Sequence, residues 1–79
     1  MKLTITVMDT ENNSYDVQVD QRQRIGTTLR VMRENLPDFA YGDDAYIQSG
    51  RTRRRLKEEQ TYEEANIYTG DRLWIMQKR

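Results

Sequence analysis

The apolar residues of this chain change their spacing twice, and the change fixes what it can fold into. Leu3, Ile5 and Val7 alternate with Lys2, Thr4 and Thr6; after the turn-forming stretch Asp9–Ser14, Tyr15, Val17 and Val19 alternate with Asp16 and Gln18. A period of two belongs to strands buried on one face, and the polar break between them makes an N-terminal hairpin. Past Asp20 the apolar positions Ile25, Leu29, Met32 and Leu36 stand four, three and four apart, with Arg30, Arg33 and Glu34 between them. That is one face of a helix. Near the end Leu73 and Ile75 return to alternation, against Arg72, Trp74 and Met76.

The punctuation agrees with the periods. Pro37 stops the helix near Leu36, because the residue before a proline avoids helical angles, and Gly26 lies near its start, where it costs less than mid-helix. A loop from Asp38 to Asp44 contains Gly42, and Phe39 or Tyr41 can fold back over the core. Ala45–Gln48 reads as a third strand, followed by a turn at Ser49-Gly50. Leu56 is the single buried anchor of a short edge strand, and Tyr62–Ala65 reads as one helical turn with Thr61 as its cap. The order is hairpin, helix, strand, short strand, turn, strand. One helix covers one face of such a sheet and leaves the other in water. The expected fold is α+β, a β-grasp roll in which a mixed four- or five-stranded sheet packs on one helix, as a single domain over 1–79.

Composition narrows the function classes. Seventy-nine residues bury only about 60% of the surface of the unfolded chain. Leu, Ile, Val and Phe number only fifteen, yet the 13 basic and 13 acidic residues cancel, so the balance is that of a small folded domain rather than a disordered one. Cysteine and histidine are both absent, which removes disulfides, thiolate metal sites and the side chain that titrates nearest neutrality. Asp43-Asp44 and Glu63-Glu64 are carboxylate pairs, but neither has the spacing of a calcium loop, and neighbours in sequence diverge on a strand or helix. They read as solvated charges. No Gly-rich phosphate loop is present, and no apolar run reaches the ~20 residues of a membrane span. The expectation is a cytoplasmic protein that is not an enzyme and holds no cofactor or metal.

The stretch Thr61-Tyr62, Asn66-Ile67 and Leu73, with Ile25 and Leu56, falls at the spacing seen in ubiquitin. From Tyr46-Ile47 to Gly70-Asp71-Arg72-Leu73 the chain resembles the small ubiquitin-like proteins of Gram-positive type VII (WXG100) secretion clusters, the YukD and EsaB kind, and the match covers nearly the whole chain. The resemblance implies a cytoplasmic accessory of a secretion apparatus that acts by noncovalent contact with a protein partner of that machinery. Conjugation needs an exposed C-terminal glycine, whereas this sequence closes on Gln77-Lys78-Arg79, and neither Gly50 nor Gly70 has a glycine neighbour. Covalent attachment to substrates is therefore not expected.

Two constellations can carry contact. If Leu73 and Ile75 point inward, Trp74 and Met76 point to the uncovered face, where Met8 and Tyr46 join them in an exposed apolar patch; Trp and Tyr are favoured at binding hot spots. By resemblance, ubiquitin uses this same face for most of its partners. The plainer alternative is an indole that covers Arg and Lys stems or seals the sheet edge. Arg51, Arg53, Arg54, Arg55 and Lys57 put five positive charges into seven residues. They can dock on an acidic protein, grip nucleic-acid phosphates with Tyr46 or Trp74 stacking on bases, or guard a sheet edge. Glu58, Glu59, Glu63 and Glu64 follow at once, and with zero net charge protein docking or plain solvation ranks above a nucleic-acid-binding β-grasp domain.

Overall fold

A computed structural model describes residues 1–77. Strands β1 (Lys2–Met8) and β2 (Ser14–Asp20) form an antiparallel hairpin, helix α1 runs Ile25–Asn35, and β3 (Ala45–Ser49), β4 (Arg55–Leu56) and β5 (Arg72–Gln77) complete one five-stranded sheet. Its order is β2-β1-β5-β3-β4. The central pair β1–β5 is parallel and the others antiparallel, so the sheet is mixed. This is the expected β-grasp, in its five-stranded form.

The core lies between the sheet and α1. Ile5 and Val7 of β1, Ile47 of β3 and Leu73 and Ile75 of β5 face Ile25, Leu29 and Met32 of the helix, all buried. Every second residue of β1 and β5 is inside, as alternation requires. Leu36, the expected end of the helical stripe, is the half-buried C-cap in extended conformation just before Pro37. Phe39 folds back onto the core as expected, edge-on to Tyr15 at 5.5 Å, whereas Tyr41 is only half-buried.

Helix α1 has no side-chain cap at its N-terminus. Instead, the amides of Ile25 and Gly26 donate to the carbonyls of Gln60 and Glu58, both at 2.9 Å, which satisfies donors that a helix otherwise leaves orphaned. The approach is close enough that a Cβ on Gly26 would lie 2.9 Å from Glu58 Cβ and 3.1 Å from its carbonyl oxygen. Glycine is here for that contact, beyond its tolerable position near a helix start.

The expected helical turn at Tyr62–Ala65 is a single turn closed by the Ala65 amide on the Thr61 carbonyl. Thr61 does cap it. Its hydroxyl accepts from the Glu64 amide at 3.1 Å, and the Glu64 carboxylate accepts from the Thr61 amide at 2.9 Å, a reciprocal capping box. The turn carries Tyr62 into the centre of the core, where its hydroxyl donates to Thr28 Oγ1 at 2.7 Å. Among the described residues no helix is long and apolar enough to cross a membrane.

Candidate functional site

The uncovered sheet face is assembled by register. Met8 of β1 lies opposite Trp74 of β5, Trp74 opposite Gln48 of β3, and Gln48 opposite Arg55 of β4; one step along, Tyr46 lies opposite Met76. Paired residues point to the same side of a sheet. Met8, Trp74 and Met76 line a recess of about 210 Å³ together with Asp9 and Asn12, and Tyr46 stands beside it. The four residues singled out from the sequence therefore meet on one face.

The patch differs from the expected one in exposure. All four side chains are half-buried, and the indole nitrogen of Trp74 is fully buried with no hydrogen-bond partner among the described residues. A Cβ on Gly50 would lie 3.0 Å from Arg72 Cβ and 3.2 Å from that nitrogen, so the missing side chain leaves room for both β5 and the indole. The ring is also covered from outside: the Arg53 guanidinium lies 5.2 Å from its centroid, and that of Arg55 lies 4.5 Å from the Tyr46 ring. Ring and guanidinium shield each other at both positions.

The arginine run does not act as a block. Arg53 and Arg55 lie over the aromatic rings of the open face, while Arg51 and Arg54, with Arg55 at the boundary, line a separate recess of about 510 Å³ beside Tyr68, Asn66 and Gln60. Arg51 is committed to the fold, with Nε donating to Asp71 Oδ1 at 3.0 Å, a second nitrogen donating to the Asn66 carbonyl, and its guanidinium 5.2 Å from the Tyr68 ring. The split arises at the turn between β3 and β4. Arg53 takes the left-handed conformation there, φ 64°, with its amide donating to the Ser49 carbonyl at 2.9 Å. Such a conformation costs a non-glycine residue about 1–2 kcal/mol.

The neighbouring carboxylates are also spoken for. Glu58 Oε2 accepts from the Tyr41 hydroxyl at 2.7 Å, and Glu64 closes the capping box. Burial and the Glu58 contact push the Tyr41 hydroxyl up to about 12. Asp43 and Asp44 are exposed, as expected of solvated charges.

One charged residue of structural weight went unread in the sequence. Asp9 looked like one turn former among several, yet it is 2% exposed. Its Oδ1 accepts from the amides of Glu11 and Asn13, both at 2.9 Å, and its Oδ2 from Asn13 Nδ2 and the Ala40 amide, both at 3.0 Å. Burial alone would raise this carboxyl, but the hydrogen bonds from Ala40, Asn13 and Glu11 outweigh it and hold the group below its ordinary value. A signal existed in the Asp-x-x-x-Asn spacing of a turn. The contact to Ala40, 31 positions away, left none.

The C-terminal residues Lys78 and Arg79, on which the expectation against conjugation rests, lie outside the described residues.

No protein-family model matches the sequence, and no curated protein matches it. Solved structures do. A de novo design based on ubiquitin superposes with a TM-score of 0.75 at 23% identity, over 94% of this chain and 85% of that one. The ubiquitin of Caldiarchaeum subterraneum gives 0.69 at 17% identity, over 100% and 96%. A chain of the toluene 4-monooxygenase HD complex with the inhibitor 4-bromobenzoate gives 0.71 at 8% identity, over 99% and 100%. These likenesses establish a ubiquitin-like fold.

Proposed function

We propose that this ubiquitin-like domain is a noncovalent protein-docking module, with no catalytic step of its own, and that its partner belongs to a type VII secretion machine in the cytoplasm of a Gram-positive bacterium. The observation that carries the docking reading is the recess of Met8, Trp74 and Met76 beside Tyr46, on the one sheet face that α1 leaves uncovered. The secretion assignment rests on the resemblance of the stretch from Tyr46 to Leu73. Trp74→Ala should weaken capture of the partner from cell extract by a hot-spot amount, roughly 2–4 kcal/mol. Met76→Glu, which keeps the indole and spoils the same recess, should act in the same direction. Mass spectrometry of the captured protein should return a component of the secretion machinery. Undiminished capture by both folded variants would sink the docking surface; a partner unrelated to secretion would sink the assignment alone.

A second reading has one specific support. Guanidinium groups interleave with rings at Arg53–Trp74 and Arg55–Tyr46, an arrangement that could receive stacked bases. Zero net charge and the pairing of Arg51 with Asp71 weigh against it. Single-stranded RNA affinity that falls steeply with salt would favour it.

A further inference from the structure

We propose that Trp74 Nε1 and the Arg53 guanidinium form a carboxylate site, which takes an acidic side chain from an extended segment of a protein partner when Arg53 swings off the indole. The inference rests on the docking reading and names the chemistry of the occupant.

Three observations lead to it. First, the Trp74 N–H is buried and has no acceptor among the described residues. Buried donors are nearly always paired, and leaving one unpaired is costly. Gly50 lies against the nitrogen with no side chain to offer an oxygen. The donor is in the position of a group completed by something from outside.

Second, the cover over the indole ring is removable. Arg53 is exposed and touches the ring through a cation–π contact alone at 5.2 Å, an interaction that is weak at exposed sites. An arriving carboxylate can take the guanidinium bidentately, which is stronger than the stack it replaces. Moving Arg53 aside then gives a carboxylate oxygen access to Nε1–H.

Third, the charge of this half of the face is unpaired. Among the described residues the ion pair is Arg51–Asp71. Arg53, Arg55 and Arg72 are exposed, with Arg55 and Arg72 in register positions on the open face, and among the described residues none contacts a carboxylate. The acidic residue paired across from Thr6 on this face, Asp16, stands on β2 at the far side and holds the Thr6 hydroxyl at 2.8 Å. Although the chain is neutral as a whole, the strip β5-β3-β4 presents cations around an apolar recess. A surface of that kind selects acidic partners and rejects basic ones.

The chain has one tryptophan, hence a single indole N–H resonance that reports the site directly. The nitrogen-labelled protein would be titrated with a short blocked peptide of alternating Glu and Leu, then with the same peptide carrying Gln, and then Lys, in place of Glu. The expected result is a saturable shift of the indole resonance with the Glu peptide and none with the Lys peptide. Arg53→Gln should weaken the Glu peptide roughly tenfold, and Arg53→Lys should recover part of that loss. An indole resonance that stays in place with the Glu peptide, an equal response to the Gln peptide, or an Arg53→Gln affinity equal to wild type overturns the proposal. If the carboxylate site fails while Trp74→Ala still weakens capture of the cellular partner, the docking surface survives. If Trp74→Ala has no effect either, both readings fall together.

Discussion

Replacing Asp9 with Asn changes one atom and reverses the hydrogen-bonding character of half the side chain. The retained oxygen can still accept from the Glu11 and Asn13 amides, as Oδ1 does. The new NH2, however, would face two donors, Asn13 Nδ2 and the Ala40 amide, in place of the Oδ2 that accepts from both at 3.0 Å. Two part-buried donors lose their acceptor, and an unsatisfied buried group costs about 1–3 kcal/mol. Part of this can relax, since the Asn13 side chain is exposed, so the loss should be about 2–4 kcal/mol. A domain of this size has only about 4–12 kcal/mol in total, and the expected fall in Tm is on the order of 10–25 °C. Urea unfolding at neutral pH measures the difference. The pH dependence tests the cause: the folded-state Asp9 carboxyl is held below its ordinary value, so its contribution is fully present above the ordinary value of about 4 and is lost as pH falls through the depressed one. The gap between wild type and Asp9→Asn should therefore narrow in acid. A variant as stable as wild type, or a gap that does not change down to strongly acid pH, would refute the reasoning.

The other predictions concern packing and the tyrosines, beside the Trp74 and Arg53 tests above. Gly26→Ala forces a methyl against the Glu58 backbone and should cost about 1–3 kcal/mol in urea unfolding, even though alanine is the better helix former; a stabilised variant would mean that the segment after β4 gives way freely. Of the five tyrosines, Tyr41 and Tyr62 should ionise near 12 in a spectrophotometric titration, Tyr62 because burial outweighs its bond to Thr28. Their folded values are raised, so the stability they add is complete below about 10 and lost as pH rises toward 12, and alkaline unfolding should begin in that window. Full tyrosine ionisation near 10 in the folded protein would contradict it.

Most of the architecture was legible in local pattern. Alternation at Leu3–Val7 and Tyr15–Val19, the helical stripe from Ile25 to Met32 and the stop at Pro37 each follow from the geometry of a single element, and a chain with one amphipathic helix and several half-buried strands has few ways to bury them. The same alternation placed Trp74 and Met76 opposite Leu73 and Ile75. Local pattern also read Thr61 as a cap, because a capping box is contained within four residues.

What sequence could not determine depends on atoms brought together from distant positions. Asp9 becomes buried only because Ala40 closes over it; a turn-forming aspartate is ordinarily solvated. Gly26 packs against Glu58, and Gly50 against Arg72 and Trp74, where a Cβ would stand. Neutral composition hid a face with unpaired arginines, since adjacent charges in sequence were sent apart by the turn at Arg53: Arg51 to Asp71, Glu58 to Tyr41, Glu64 to the Thr61 amide, and Arg53 and Arg55 onto the aromatic rings. Periodicity determines which way a side chain points, because that is a property of the local helix or strand; the partner it meets is set by strand order and register, which only the folded chain supplies.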